Sequence, residues 1–287
     1  MSGSARATGP RAARRRRLTW AVAGVLVASL VLGVVVVLVG LGQGGTPQVV
    51  EPPYDPLLPG APLVVVPAPA PPARVTGIGH DVSYPQCRST LPPKPAFAIV
   101  GVNGGAPLTS NRCFAEQVAW ARTSKVGYAV YVNTSYSGKG DPVAYGRRLV
   151  EDAIAREHAA GVSGTAVWWL DVELGNTWRG TQQENATVLA AMAARLQEAG
   201  VRVGIYSSPP QFQEIAGAWE PGLPVWNATG PGTRKAALAS CSESFAGSRT
   251  AIVQWVQKRG SALLDHDVVC PAWRDRAGDL LDLGHAG

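Results

Sequence analysis

Apolar positions in the last two thirds of the chain gather into short runs separated by longer amphipathic stretches. Residues 77–83, 96–103, 127–133, 165–173, 202–207, 223–227, 251–257 and 265–269 read as eight strands. Helical spacing fills residues 113–123, 142–160 and 182–199, and more weakly 211–218 and 234–240. Asp141-Pro142 supplies an N-cap and a first-turn proline for the second helix, and Gly161 its stop; Gly200 ends the third. Arg147 with Glu151, Arg148 with Asp152 and Asp152 with Arg156 are four apart, which reads as a solvated helix face. Strands alternating with helices argue for an α/β fold with a parallel sheet, and eight of them argue for an irregular (β/α)8, TIM-like barrel. An open doubly wound sheet is the alternative.

A different pattern precedes this region. Arg11 and Arg14 to Arg17 are followed by residues 18–41, which carry no charge and are dominated by Val, Leu, Gly and Ala. Roughly 20 apolar residues suffice to cross a bilayer as a helix, and a cleavable signal has a shorter apolar core of about 7 to 15 residues. The expected organisation is therefore a cytoplasmic basic tail over 1–17, a transmembrane anchor over 18–41, a proline-rich linker over 42–74 and a folded domain over 75–287. Arginines before the span place the domain outside the cytoplasm, in a single-pass membrane protein. Cleavage near residue 40 or 45, giving a secreted domain, is the alternative.

The net charge of +6 belongs mostly to this leader. Seven of the 26 Lys and Arg residues precede Val75, whereas 19 basic and 18 acidic residues follow. The near-neutral domain removes the electrostatic reason to expect nucleic acid. Cys87, Cys113, Cys241 and Cys270 all lie in the exported part, so two disulfides are expected. Of three possible pairings, Cys87 with Cys113 and Cys241 with Cys270 close the shortest loops. Neither a C-x-x-C pair, a dinucleotide glycine motif nor a P-loop is present, and no metal or cofactor is expected.

The candidate chemistry lies in acids at strand ends. Asp171 and Glu173 close the fourth apolar run two residues apart, so on a strand they share a face. Asp81 lies near the end of the first run, and Asp265 and Asp267 lie in the eighth. In a barrel the first and eighth strands are neighbours, which brings Asp81 and Asp267 to the mouth that Asp171 and Glu173 face. His80 and His266 directly precede two of these acids and so point to the opposite face, which argues against a metal site. Tyr84, Trp169, Trp178, Tyr206, Trp226 and Trp255 sit at or near the same strand ends, where aromatic faces suit sugar rings; packing is the alternative for some of them.

These residues carry a resemblance. His80-Asp81-Val82-Ser83-Tyr84-Pro85-Gln86, Leu170-Asp171-Val172-Glu173, Gly204-Ile205-Tyr206-Ser207-Ser208, Val225-Trp226-Asn227-Ala228, Val253-Gln254-Trp255 and Asp265-His266-Asp267-Val268 occur in this order. The series resembles the glycoside hydrolase family 25 lysozymes, with D-x-S-x-x-Q, D-x-E, G-I-Y-[ST], W-x-A, W-Q-type and D-[LV]-[ND] segments. It looks like a divergent branch frequent in actinobacterial cell-surface proteins. The resemblance implies an irregular barrel that cleaves the β-1,4 bond between N-acetylmuramic acid and N-acetylglucosamine in peptidoglycan. It implies Glu173 as general acid and then base, Asp171 as the group that orients the 2-acetamido substituent, and Asp81 and Asp267 as the remaining catalytic acids. Tyr84, Trp169, Tyr206, Trp226 and Trp255 are the expected substrate-binding residues. Gly101 to Gly105 and Tyr131-Val132-Asn133 depart from the family's usual segments after the second and third strands. A barrel that binds cell-wall glycan without cleaving it is the alternative function.

Overall fold

The computed structural model describes residues 74–259 and 262–284. The expected tail (1–17), transmembrane span (18–41) and nearly all of the linker lie outside the described residues. Among the described residues no helix is long and apolar enough to cross a membrane.

Each of the eight expected strands is present. They are β1 (His80–Val82), β2 (Ala98–Gly101), β3 (Tyr128–Asn133), β4 (Val167–Asp171), β5 (Arg202–Ser207), β6 (Val225–Pro231), β8 (Ser248–Arg259) and β9 (Ala262–Val269), with an additional short strand, β7 (Ser244–Phe245). Helices α1 (Phe114–Ala121), α2 (Pro142–Ala159), α3 (Gln182–Glu198), α4 (Pro209–Ala216) and α5 (Arg234–Ala239) fall where helical spacing placed them; a final turn, α6 (Ala277–Leu280), follows β9. Strands β1 to β6 lie side by side in chain order and parallel, and β8 continues the parallel series beyond β6.

The expectation of eight parallel strands fails at the end of the chain. Strand β9 runs antiparallel to β8, from Arg259 opposite Ala262 to Ile252 opposite Val269. A parallel crossover takes a dozen or more residues, and the chain between these strands is far too short for one. Two hydrogen bonds between Gly79 and Asp267, each 2.9 Å, join β9 back to the chain entering β1. The result is a curled, barrel-like sheet with a reversed last strand. Strand β7 was not foreseen. It forms a hairpin with β8 through Ala246 and Gly247, both at positive φ (52° and 72°), as a tight two-residue hairpin turn requires.

Side-chain alternation divides the core. Ala98, Val100, Tyr128, Val130, Trp168 and Leu170 face outward and pack with Phe114, Val118, Leu149, Val150, Leu189 and Met192 of the helices. Ile99, Ala129, Val167 and Trp169 point to the other face and join Trp226 and Val253 in a second cluster. Caps fix the two long helices: Asp141 accepts from Val143 N at 2.9 Å, and Thr181 and Glu184 form a capping box. The charges of α2 do more than solvate its surface. Arg156 pairs with Asp152 as spaced, but Arg147 reaches Glu198 at 2.7 Å and Glu151 reaches Arg195 at 3.3 Å, joining α2 to α3. Both disulfides pair as expected, Cys87 with Cys113 and Cys241 with Cys270.

One glycine sets the interior. A Cβ on Gly204 of β5 would lie 2.3 Å from the Trp169 ring, so this large ring packs directly against bare backbone. Gly204→Ala is therefore expected to destabilise the protein by roughly 1–3 kcal/mol, as overpacking does. Chemical denaturation followed by tryptophan fluorescence checks this; an unchanged midpoint would contradict the packing described.

Candidate active site

The carboxyl end of the parallel strands opens into a cavity of about 210 Å³ lined by Asp81, Tyr131, Asp171, Glu173, Tyr206, Trp226, Gln254, Val256 and Asp265. A larger depression of about 430 Å³, over α2 and the start of α1, is mostly apolar, and its only ion pair, Arg156 with Asp152, is already formed. Convergent titratable groups distinguish the smaller cavity.

Strand geometry delivers the acids. Asp171 is the last residue of β4, and the chain continues extended long enough for Glu173 to emerge on the same side. Five hydrogen bonds hold this segment. Val172 N donates to Tyr206 O (2.8 Å), Ser207 Oγ to Val172 O (2.6 Å), Leu174 N to Gln211 Oε1 (2.8 Å), and Trp178 Nε1 and Asn176 N to Glu173 O (2.9 and 3.1 Å). Trp178 thus braces the backbone of Glu173. Asp171 Oδ2 accepts a short hydrogen bond from Asn133 Nδ2, and Asn176 Nδ2 lies 3.5 Å from Oδ1. Two amides therefore fix its orientation.

On the opposite wall, Gln254 is a bridge. Its Nε2 donates to Asp81 Oδ2 at 2.9 Å, and its Oε1 accepts from Tyr206 Oη, also at 2.9 Å. Tyr131 covers Gly101, where a Cβ would fall 2.8 Å from the phenol oxygen and from Ser83 Cβ. Its side chain occupies space that any other residue at 101 would fill.

Two expected sites are corrected by strand direction and parity. Because β9 is reversed, its N-terminal half lies at the mouth, so Asp265 lines the cavity while Asp267 is one layer deeper and fully buried. Trp226 Nε1 donates to Asp267 Oδ1 at 2.9 Å. Trp255 neighbours the inward Gln254 and therefore points outward, where it is 1% exposed and stacks on His266 with centroids 5.2 Å apart. Trp169 points inward but lies below the cavity, under Trp226 at 5.8 Å. Tyr84 is 42% exposed and lies over Gly105, outside the cavity lining. Tyr206 and Trp226 line the cavity as expected. Sequence reasoning missed Asp265, Gln254 and Tyr131 as lining residues, although Asp265 shares the face of Asp267 and Gln254 lies in a quoted segment.

The electrostatics follow from burial. Desolvation raises Asp81 and Asp171 well above the usual carboxylate range, the charges of Asp267 and Asp265 adding at Asp81 and that of Glu173 at Asp171. Burial also raises Glu173, with the neighbouring Tyr206 hydroxyl acting against the shift. It lifts Asp265 to about 6, with the charge of Glu173 contributing. Tyr131 and Tyr206 are pushed up by burial and by the surrounding acids, which leaves both phenols neutral. Among the described residues no lysine or arginine lines the cavity. Burial thus shifts these acids toward their protonated form, the direction a general acid requires.

Sequence and structure comparisons agree with this geometry. The model of the family Lysozyme-like protein 1 matches residues 99–253, more than half of the chain and the part that supplies β2 to β6. The chain belongs to the Lysozyme-like protein 1 family. A relative from Dictyostelium discoideum, "Probable GH family 25 lysozyme 4", is 32% identical over 68 residues, covering 23% of this chain; the chain spans 32% of the length of that relative. Among solved structures, the spore cortex lytic enzyme SleM of Clostridium perfringens superposes with a TM-score of 0.52 at 15% identity, covering 72% of this chain and 70% of that one. A family 25 glycosyl hydrolase from Bacillus anthracis gives 0.51 at 15% identity, covering 70% and 93%. The lysozyme-like chain thus carries a glycoside hydrolase family 25-like domain, and these structures share its fold.

Gln254 is the polar link between the walls of this lysozyme-like cavity. Gln254→Leu leaves Asp81 Oδ2 and Tyr206 Oη without their partners and should cost about 1–3 kcal/mol. Urea denaturation at neutral pH measures it, and a loss too small to detect would show that the bridge is not formed.

Proposed function

We propose that the protein is a membrane-anchored, extracytoplasmic glycoside hydrolase of lysozyme type that cleaves peptidoglycan or a closely related cell-wall glycan. The observation that carries this reading is Glu173, a half-buried acid with a raised pKa, beside the amide-clamped Asp171 in a cavity walled by Tyr131, Tyr206 and Trp226. Glu173 donates its proton to the glycosidic oxygen as the bond breaks and afterwards takes a proton from water. Asp171 has no positive neighbour among the described residues of the cavity lining, and its role is to accept the N–H of the 2-acetamido group as that group approaches the anomeric carbon. Asp81 and Asp265 supply negative potential for the positive charge that develops on the sugar ring. Faces of Tyr206 and Trp226 provide apolar contact for the ring. A cavity of about 210 Å³ engages one reacting sugar, with the polymer lying across its mouth.

The anchor belongs to the same proposal. An uncharged segment over residues 18–41 behind an arginine cluster, then a proline-rich spacer, suits an enzyme working on polymer just outside the membrane. Two disulfides suit an oxidising compartment.

The full chain is expected to clear peptidoglycan and release new reducing ends, and Glu173→Gln is expected to lower the rate at least about a hundredfold while leaving the thermal midpoint nearly unchanged. A reducing-end assay decides this. Equal rates for the two proteins would remove Glu173 from the chemistry, and glycan binding without release by the wild type would favour a binding barrel.

A further inference from the structure

Asp267 is the most deeply buried member of the acidic cluster. It is completely buried, lies beneath the cavity rather than in it, and its Oδ1 accepts from Trp226 Nε1 at 2.9 Å. Counted as an ionised group, its Oδ2 is buried with no donor at all. Besides Trp226 it faces another acid, Asp81, whose Oδ2 is occupied by Gln254 Nε2. Carboxylates offer only acceptors, and two of them make a hydrogen bond to each other only when one carries a proton. That proton satisfies the orphaned oxygen. It also completes a continuous chain from Tyr206 through Gln254, Asp81 and Asp267 to Trp226.

We infer that Asp81 and Asp267 hold one proton between them as a single buried anion, so that Asp267 is a positioning residue that fixes the Asp81 carboxylate beside the cavity. Asp265 on the same strand, Asp171, Glu173, Tyr131 and Tyr206 face the pair from the cavity, while His80 and His266 lie on the outer face of β1 and β9. None of the described cavity-facing groups is a cation. Burial drives Asp267 to about 8, and the pair titrates as a unit. An acid whose pKa is higher in the folded than in the unfolded chain binds a proton on folding. Its contribution is fully present below the ordinary carboxylate range and is lost as pH rises toward about 8.

An asparagine at 267 reproduces the protonated acid, with Oδ1 accepting from Trp226 and Nδ2 donating to Asp81. The catalytic meaning of the pair rests on the glycan-cleaving reading, but the proton itself is counted without activity. Chemical unfolding of the full chain, followed by tryptophan fluorescence from about pH 5 to about pH 8, gives the protons taken up on folding from the slope of stability against pH. Asp267→Asn is expected to take up about one proton fewer than the wild type, whereas Asp267→Leu, which gives Asp81 no donor, is less stable throughout. Asp81→Asn, which exchanges donor and acceptor, should show the same loss of one proton. Equal slopes for wild type and Asp267→Asn would overturn the shared proton, as would failure of both asparagine variants to fold. On a glycan substrate, Asp267→Asn should shift the alkaline limb of the rate profile. A wild type inactive on every glycan would sink the functional reading and leave the proton count to decide the pairing.

Discussion

Five carboxyl groups packed into one end of a sheet, with no cation lining the cavity among the described residues, form the constraint on which this molecule depends. Each would ionise in water, and together they cannot all ionise where they are. The fold answers with hydrogen bonds rather than counter-charges. Asn133 and Asn176 hold Asp171, Gln254 holds Asp81, and Trp226 holds Asp267. What remains is relieved by keeping protons. The same condition that strains the cluster raises the carboxyl pKa values, the direction in which the proposed acid catalysis needs them moved.

The backbone makes this convergence possible through one reversal. Had β9 run parallel to β8, Asp267 would reach the mouth and Asp265 would lie below it. Reversal exchanges them, placing Asp265 beside Glu173 and Asp267 beneath Asp81. Beneath the acids, the bare backbone of Gly204 admits the Trp169 ring, and Trp226 lies on that ring while reaching Asp267. Floor and cluster are thus built from the same residues.

Much of this was legible from the residues. Eight apolar runs found eight strands, and the Asp-Pro and Gly boundaries of α2 found its ends. The pair Asp171 and Glu173 declared itself by spacing alone. Strand direction was less visible, although the few residues between the last two runs were already too few for a parallel crossover. Parity would have removed Trp255 once Gln254 was recognised as inward. The ion pairs joining α2 to α3 could not be read from spacing, because Arg147 has an acid four residues along and still reaches across to Glu198. Asn133 was visible only as a departure from a family segment, yet it clamps Asp171. A change in the groove and a support for the acid are here the same residue.

The proposed glycan cleavage rests on the position of Glu173. The most direct measurement is a crystal structure of the Glu173→Gln protein with a soluble peptidoglycan tetrasaccharide. The predicted result is a bridging oxygen within hydrogen-bond distance of residue 173, with the acetamido N–H of the adjoining sugar on Asp171. A tetrasaccharide seated elsewhere, with the cavity still closed over Asp171 and residue 173, would contradict it.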